Sequence, residues 1–263
     1  MNFEEKLRDF IPELTRSLRS FDNEDWSVKG FIDCYQNIYS ISNDTKVISK
    51  IIELMVFPKF VKFAKENDLL LELAPHQNYY PDITFIDKNG KKYAVDLKST
   101  YRISSKRING MTLGAFTGYF RDRKSLKNTH YAYGSYEKHY VLGVIYSRKE
   151  LQSEIMSYTL ENFHDIESVA TNFDFFLQEK WKIAIDRAGS GNTKNIGSER
   201  EIAKLKEGKG IFFREFDENG EEFFDHYWMN YLTKDMARSL DMSTPLYNNL
   251  QSYKAWIDSV PRY

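Results

Sequence analysis

Cysteine is almost absent from the 263-residue sequence, and this absence excludes two kinds of site. The single thiol, Cys34, allows no internal disulfide framework and no cysteine-based zinc cluster. Long apolar runs are missing too, since none approaches the roughly 20 residues that a membrane-spanning helix needs. The first residues have neither the basic nor the apolar region of a signal peptide, so we expect a cytoplasmic protein with no membrane partner.

Net charge is also nearly absent, but the charges are unevenly distributed. The whole chain carries 37 Lys and Arg against 38 Asp and Glu. Residues 98–140 hold nine basic residues against only Asp122 and Glu137, and residues 179–210 hold eight basic and five acidic residues. Such asymmetry lets one surface bind a polyanion while the whole protein stays soluble. Taken alone, the pattern is equally typical of a solvated charged face.

The hydrophobic pattern predicts one domain over residues 1–263, in which helices flank a central mixed β-sheet. Apolar residues recur at helical spacing from Phe3 to Leu18. A second helix is expected to begin near Asp44, with a kink or break at Pro58, and a third covers 253–260. Strands are predicted at 69–73, 83–86, 93–97, 140–146, 173–177 and 181–185. The fold class is therefore α/β, with α+β as the alternative.

The segment from Tyr80 to Lys98 reads as a β-hairpin around Asn89-Gly90. A two-residue loop would pair Ile83 with Asp96, an apolar side chain beside a charged one. A three-residue loop with a left-handed Gly90 pairs Ile83 with Val95 instead, which the hydrophobic pattern favours. In that register Asp82 lies opposite Asp96 on the other face, and Lys98 follows two residues later.

Two neighbouring carboxylates with an ammonium beside them form a candidate metal site. Cross-strand Cβ atoms are about 4.5–5.5 Å apart, so Asp82 and Asp96 repel each other unless a cation or a proton lies between them. Mg²⁺ commonly binds one or two carboxylates together with phosphate oxygens. Lys98 could orient the attacking water, help to deprotonate it, or stabilise the transition-state charge. Taken alone, the same residues also fit an exposed hairpin with ordinary surface charges.

A glycine-rich segment, Ala188–Ser198, is the second candidate functional element. Its glycines permit close backbone approach, and its Asn and Thr side chains can donate to and accept from base edges. It lacks the Gly-Lys-Ser/Thr ending of a nucleotide-binding loop, which sets a nucleotidase aside. From composition alone, an ordinary flexible loop or a weak phosphate cradle are the alternatives.

Several motifs in the same order resemble the EcoRV-like type II restriction endonucleases of the PD-(D/E)xK superfamily. The restriction-endonuclease-like core would cover residues 42–212 and combine catalysis with DNA recognition, between an N-terminal helical extension (1–41) and a C-terminal segment (213–263). The segments that carry the resemblance are Ser42–Leu54, Gln77–Asp82, Asp96–Tyr101, Thr112–Gly114, Phe120–Arg121, Phe176–Ala184 and Ala188–Ser198.

The resemblance implies a role for individual residues. Asp82, Asp96 and an auxiliary Glu53 would hold Mg²⁺, with Mn²⁺ as a substitute, and Lys98 would complete the catalytic set. DNA contacts are implied for three groups of residues, namely a recognition loop (Gly189, Ser190, Gly191, Asn192, Thr193, Asn195), a second loop (Gln77, Asn78) and the catalytic strand (Ser99, Thr100). Among the basic residues between Arg102 and Lys138, Lys127 is the expected contact to a backbone phosphate.

The implied activity is hydrolysis of double-stranded DNA at a short palindrome by a homodimer. The expected site is GATATC, cut bluntly at its centre to leave 5′-phosphates, and a companion DNA methyltransferase is expected to protect the host. One alternative is a nuclease of the same fold with another site or a role in repair or junction resolution. The other is a non-enzymatic DNA-binding protein, which would need to have lost a carboxylate or the lysine, and neither is missing.

Overall fold

The computed structural model describes residues 2–20, 25–150, 157–189 and 194–259. The helices within these ranges are α1 (Phe3–Leu18), α2 (Thr45–Glu66), α3 (Lys180–Ile183), α4 (Ile202–Glu207), α5 (Ile211–Phe216), α6 (Gly220–Asn230), α7 (Lys234–Arg238) and α8 (Leu250–Ser259). The strands are β1 (Gly30–Ile32), β2 (Ile38–Ser40), β3 (Leu70–Leu73), β4 (Ile83–Ile86), β5 (Lys92–Tyr101), β6 (Thr112–Ala115), β7 (Tyr136–Arg148), β8 (Ser157–Tyr158), β9 (Ala170–Glu179), β10 (Ala184–Ala188) and β11 (Asn195–Ser198).

A five-stranded sheet in the order β3-β4-β5-β7-β9 forms the centre of the fold. Its pairs are antiparallel except β5 with β7, which run parallel. The sheet is therefore mixed and has helices on its faces, so the protein is a mixed α+β fold. This confirms the expected central mixed sheet with flanking helices. Of the two fold classes that the sequence left open, α/β and α+β, the structure is α+β.

The two faces of strand β5 enter different hydrophobic cores. Tyr93, Val95 and Leu97 belong to the core that also contains α1 and α2. Ala94 belongs to a second core, which contains the C-terminal helices and a smaller sheet of β10, β11 and β6. Because side chains alternate along a strand, Asp96 shares the face of Ala94. Strand β5 thus presents Asp96 to the side of the molecule that carries the glycine-rich segment.

Helix α2 runs without interruption through Pro58, so the expected break is wrong. Asp44 caps its start, accepting hydrogen bonds from the backbone N–H groups of Lys46 and Val47. Proline removes one helical hydrogen bond. Val56 and Phe60, on either side of Pro58, are both fully buried against the sheet, and this packing keeps the two halves of the helix together.

Most of the other expected elements are confirmed, with two corrections. The predicted strand at 181–185 is wrong over its first half, where α3 forms one helical turn and β10 begins only at Ala184. Its two apolar residues, Trp181 and Ile183, are both buried by that turn, so their alternation did not require a strand. The N-terminal region, expected to be helical, is helical in α1 but also contributes β1 and β2. No helix in the described ranges is long and apolar enough to cross a membrane.

Candidate active site

The β4–β5 hairpin has the register that the three-residue loop predicts. Ile83 pairs with Val95, and Phe85 pairs with Tyr93. The loop is closed by the hydrogen bond from the Asp87 N–H to the Lys91 carbonyl (3.0 Å), and Gly90 has a φ of 79°. Only glycine adopts this left-handed conformation without a steric cost, so the loop sequence fixes the pairing.

This register brings Asp82, Asp96 and Lys98 together. The Lys98 Nζ atom lies 2.7 Å from Asp96 Oδ2 and 3.7 Å from Asp82 Oδ2. Asp82 Oδ2 also accepts a hydrogen bond of 2.7 Å from the Leu97 backbone N–H. The side chain of Asp96 is only 6% exposed, whereas that of Asp82 is 41% exposed. A buried and an accessible carboxylate therefore share one ammonium group.

Backbone hydrogen bonds from the segment 128–130 hold the residue two places before Asp82. Tyr80 donates its N–H to the Asn128 carbonyl (3.1 Å), and its own carbonyl accepts from the N–H of His130 (2.8 Å) and the Thr129 hydroxyl (3.0 Å). The Tyr80 ring is buried and stacks on Tyr119 at a centroid distance of 5.2 Å. The backbone that leads to Asp82 is thus held in place by residues almost 50 positions later in the sequence.

The charges of the three groups depend strongly on one another. Burial, and after it the negative charge of Asp96, raise the pKa of Asp82 to about 7. Burial alone would raise the pKa of Asp96 as well, but Lys98 and then Lys180 lower it below its ordinary value. The same pairing raises the pKa of the Lys98 ammonium despite its burial. At neutral pH the site therefore holds an ionised Asp96, a charged Lys98 and an Asp82 near its titration midpoint.

The donor set fits a hard divalent cation. Two carboxylates supply oxygen ligands, and Mg²⁺ is usually bound by one or two carboxylates, with water and phosphate oxygens completing its shell. No group of three or more His, Cys, Asp or Glu side chains within the described ranges is arranged to hold a metal ion. Asp82 and Asp96 are the candidate ligands for Mg²⁺ or Mn²⁺, and this role stays a prediction.

Glu53 lies near these carboxylates but does not form a cluster with them. It lines a cavity of about 230 Å³ together with Asp82, Lys98 and Ser99. Its carboxylate pairs with the Lys50 ammonium at 2.7 Å, and its side chain is 52% exposed. A metal or structural role for Glu53 stays a prediction.

The two DNA-binding candidates on the catalytic strand occupy opposite faces of β5. The Ser99 hydroxyl lies 2.5 Å from that of Ser49 on α2, at the same cavity. Thr100 is 5% exposed, and its hydroxyl donates to the Asn109 carbonyl. In this arrangement Ser99 lies at the wall of the cavity, whereas Thr100 has its hydroxyl committed to a contact within the protein.

The candidates of the second loop are exposed and lie close to one another. Gln77 and Asn78 are exposed in the turn between β3 and β4. Lys127 is also exposed, and the backbone hydrogen bonds of Tyr80 bring the segment 125–130 alongside this turn. The chain therefore presents two amide side chains and an ammonium on one stretch of surface, and their contact with DNA stays a prediction.

The glycine-rich segment connects β10 to β11. Ser190, Gly191, Asn192 and Thr193 lie outside the described residues. Gly189 and Asn195 flank them, and the Gly189 N–H donates to the Asn195 carbonyl at 2.8 Å. Strand β11 pairs on its other side with β6. The small sheet therefore holds both ends of the predicted recognition loop.

The sequence reasoning missed Lys180, the buried ammonium behind the carboxylates. Its side chain is 2% exposed, and its Nζ atom lies 4.1 Å from the centroid of the Tyr80 ring and 3.4 Å from the Tyr133 hydroxyl. Burial lowers the pKa of Lys180 to about 7. No periodic signal in the sequence around Glu179 and Trp181 marks this lysine as buried.

The chain is similar to known proteins over most of its length. The family model described as "Restriction endonuclease EcoRV" matches residues 22–258. The type II restriction enzyme EcoRV of Escherichia coli is 36% identical over 240 residues, which are 90% of this chain and 93% of that protein. A solved structure of the NlaIV restriction endonuclease is similar over 92% of this chain and 96% of its own, with a TM-score of 0.42 and 10% identity. At that TM-score the structural likeness adds nothing to the family match.

The pKa of Asp82 is directly testable in the metal-free protein. We expect the Asp82 carboxyl carbon to titrate near pH 7 by NMR, because burial and the charge of Asp96 favour its protonated form. An Asp96→Asn variant removes the negative charge next to Asp82, so the pKa of Asp82 should fall. An Asp82 titration near pH 4 in the wild-type protein would contradict the description of a coupled carboxylate pair.

Proposed function

The chain belongs to the EcoRV family of type II restriction endonucleases, and from this premise we propose that it hydrolyses both strands of double-stranded DNA with Mg²⁺ as its cofactor. The observation that carries the proposal is the contact of the Lys98 ammonium with both Asp82 and Asp96. Asp82 and Lys98 also line one cavity. A bound Mg²⁺, or Mn²⁺ in its place, would polarise the scissile phosphate and lower the pKa of the attacking water.

Asp96, Asp82 and Lys98 would have different roles in the reaction. Asp96, buried and ionised, would be a fixed anionic ligand, whereas the more accessible, half-buried Asp82 could exchange its proton for a cation near neutral pH. Lys98 keeps its proton, because Asp96 and Asp82 raise its pKa. Its ammonium is therefore suited to orient the water through a hydrogen bond from Nζ and to stabilise negative charge on the phosphate. Deprotonation of the water by Lys98 is the least favoured of its three possible roles.

We propose GATATC as the recognition site, with a blunt central cut that leaves 5′-phosphate ends. The support is the resemblance of the segment Ala188–Ser198, whose Gly189, Ser190, Gly191, Asn192, Thr193 and Asn195 would contact the outer bases from the major groove. The central TA step would be selected by its ease of deformation rather than by direct contact. Gln77 and Asn78 would contact the minor groove side, and Ser99 and Lys127 the backbone. A DNA contact from Thr100 would require its hydroxyl to leave the Asn109 carbonyl.

The enzyme would act as a homodimer, because a palindrome presents the same half-site to two subunits. Support comes from the three-stranded sheet of β1, β2 and β8, where Phe31 pairs with Tyr39. These two cross-strand neighbours are 51% and 44% exposed, and Tyr35 in the adjoining turn is 83% exposed. Exposed clusters of large apolar side chains are typical of association surfaces.

A host carrying this enzyme would also need a companion methyltransferase to protect its own sites.

A digest of lambda or plasmid DNA tests the function as a whole. With Mg²⁺ the purified protein should give discrete fragments, and sequencing should place both ends at the centre of GATATC; with EDTA there should be no cleavage. Discrete fragments that end elsewhere would support the endonuclease activity but contradict GATATC as the recognition sequence. An unpatterned smear would instead indicate a nuclease without a fixed recognition sequence.

A Lys98→Ala variant separates cleavage from binding. Cleavage should fall by orders of magnitude, because the charge beside the reacting phosphate is lost, while duplex affinity measured by fluorescence anisotropy in Ca²⁺ should persist. Lys88→Ala, at the exposed tip of the same hairpin, is the matched control and should cut at the wild-type rate. Wild-type cleavage by Lys98→Ala would remove Lys98 from the active site.

The dimer is testable with Phe31→Asp. We expect sedimentation equilibrium to give a dimer for the wild-type protein and a monomer for this variant, since a charge would be buried in the interface. Leu240→Asp is the matched control, because Leu240 is 61% exposed outside the β1–β2–β8 sheet. A wild-type monomer, or a dimer unaffected by Phe31→Asp, would overturn this interface.

A further inference from the structure

The two basic windows of the sequence meet at one edge of the molecule. An isolated bridge joins Arg107 to Glu201, the Ile108 N–H donates to the Arg200 carbonyl at 3.0 Å, and the Ile202 N–H donates to the Lys106 carbonyl at 2.9 Å. Lys106, Arg107 and Arg200 are all exposed there. The segments 98–140 and 179–210, which lie far apart in the sequence, thus contribute cations to a common surface.

A cavity of about 240 Å³ opens beside Arg200 at the base of the small sheet. It is lined by the segment 109–112, by Gly189 and Gly197 on either side of the recognition loop, and by Arg200. Arg200 is the one charged residue among the described residues that line it. The cavity therefore has one cationic group in its wall and begins where the loop leaves β10.

The Arg200 guanidinium is seated against the backbone of Gly110. A Cβ atom on Gly110 would lie 2.8 Å from Arg200 Nε and 3.1 Å from Nη2, so a larger residue there would have to displace the guanidinium from this position. Such a seat restricts the arginine before any ligand arrives, which lowers the entropy lost on binding.

The acidic neighbours of Arg200 are engaged with other groups. The Glu199 carboxylate accepts the backbone N–H groups of Arg200 and Glu201, at 2.7 and 3.2 Å. Glu201 pairs with the Lys204 ammonium at 2.7 Å. The Arg200 guanidinium makes no ion pair with a carboxylate in the part of the chain that the structure describes. A planar, preorganised donor group without an anionic partner matches the geometry of a phosphate.

The cavity is also connected to the catalytic strand. Asn109, which lines it, donates its N–H to the Tyr101 carbonyl (2.9 Å) and accepts from the Thr100 hydroxyl. Thr100 lies two residues beyond Lys98 on the same face of β5. A DNA strand that passes from Lys98 toward the recognition loop would therefore run its backbone along this cavity.

We propose that Arg200, seated on Gly110, binds a backbone phosphate of the DNA strand next to the recognition loop. The proposal rests on the proposed function and adds an affinity contact that reads no base. Arg200 follows the C-terminal end of β11, whereas the segment 190–193 precedes its N-terminal end, so the two would contact different parts of the DNA. Its contribution should therefore be equal on every sequence.

The test measures duplex affinity against salt concentration for wild-type protein and Arg200→Ala, in Ca²⁺, by fluorescence anisotropy. The probes are a duplex containing GATATC and a duplex of the same composition with the hexamer scrambled. Arg200→Ala should weaken binding about tenfold on both probes and reduce the slope of log affinity against log salt by about 0.9, the effect of one lost phosphate contact. Arg16→Ala is the matched control, because Arg16 is exposed on α1, which packs on the opposite face of the central sheet.

Gly110→Ala tests the seat without removing the charge. The added methyl group should displace the guanidinium, so affinity should fall, and the double variant should bind no more weakly than Arg200→Ala alone. An unchanged salt slope in Arg200→Ala, or a loss confined to the GATATC duplex, would overturn the phosphate contact. Failure of the wild-type protein to cut any DNA would overturn the proposed function, while the salt slope would still decide the role of Arg200.

Discussion

Repulsion between Asp82 and Asp96 is the interaction on which the active site depends. The hairpin register places the two carboxylates on one face of the sheet, and the Lys98 ammonium reaches both of them. One ammonium cannot neutralise two carboxylates, so the pair shifts toward protonation at Asp82 and leaves a site to which a divalent cation is attracted. The fold maintains this unfavourable pairing with a buried strand on one side and the anchored Tyr80 on the other.

The architecture joins this charged pair, through short hydrogen-bonded steps, to the elements that are predicted to contact DNA. Tyr80 connects the turn that carries Gln77 and Asn78 to the segment next to Lys127. Asn109 connects the end of β5 to the cavity beside Arg200 and the small sheet that holds the glycine-rich segment. Each element expected to contact DNA is thus at most a few hydrogen bonds from the strand that carries Asp96 and Lys98, which is how sequence recognition could be transmitted to the reacting phosphate.

Local patterns in the sequence were sufficient for the hairpin and the pairing of its charges. The alternation of Ile83, Phe85, Tyr93 and Val95 and a glycine suited to a left-handed turn determine the register, because all of this information lies within a few residues. Features that depend on distant contacts were not predictable in this way. The burial of Lys180 beneath Tyr80, the helical turn at Trp181 and the seat of Arg200 on Gly110 each arise from residues far apart in the sequence. The ion pair of Glu53 with Lys50 was also not predicted, because helical spacing permits this contact but does not require it.

The most direct test of this account is the position of the metal. Crystals grown with a DNA duplex and Mn²⁺, which scatters anomalously where Mg²⁺ does not, should show an anomalous peak within coordination distance of a carboxylate oxygen of both Asp82 and Asp96. The same crystals of an Asp96→Asn variant should lose that peak, because the fixed anionic ligand is gone. Strong Mn²⁺ peaks found only elsewhere in the wild-type complex would contradict the claim that these two carboxylates hold the cofactor.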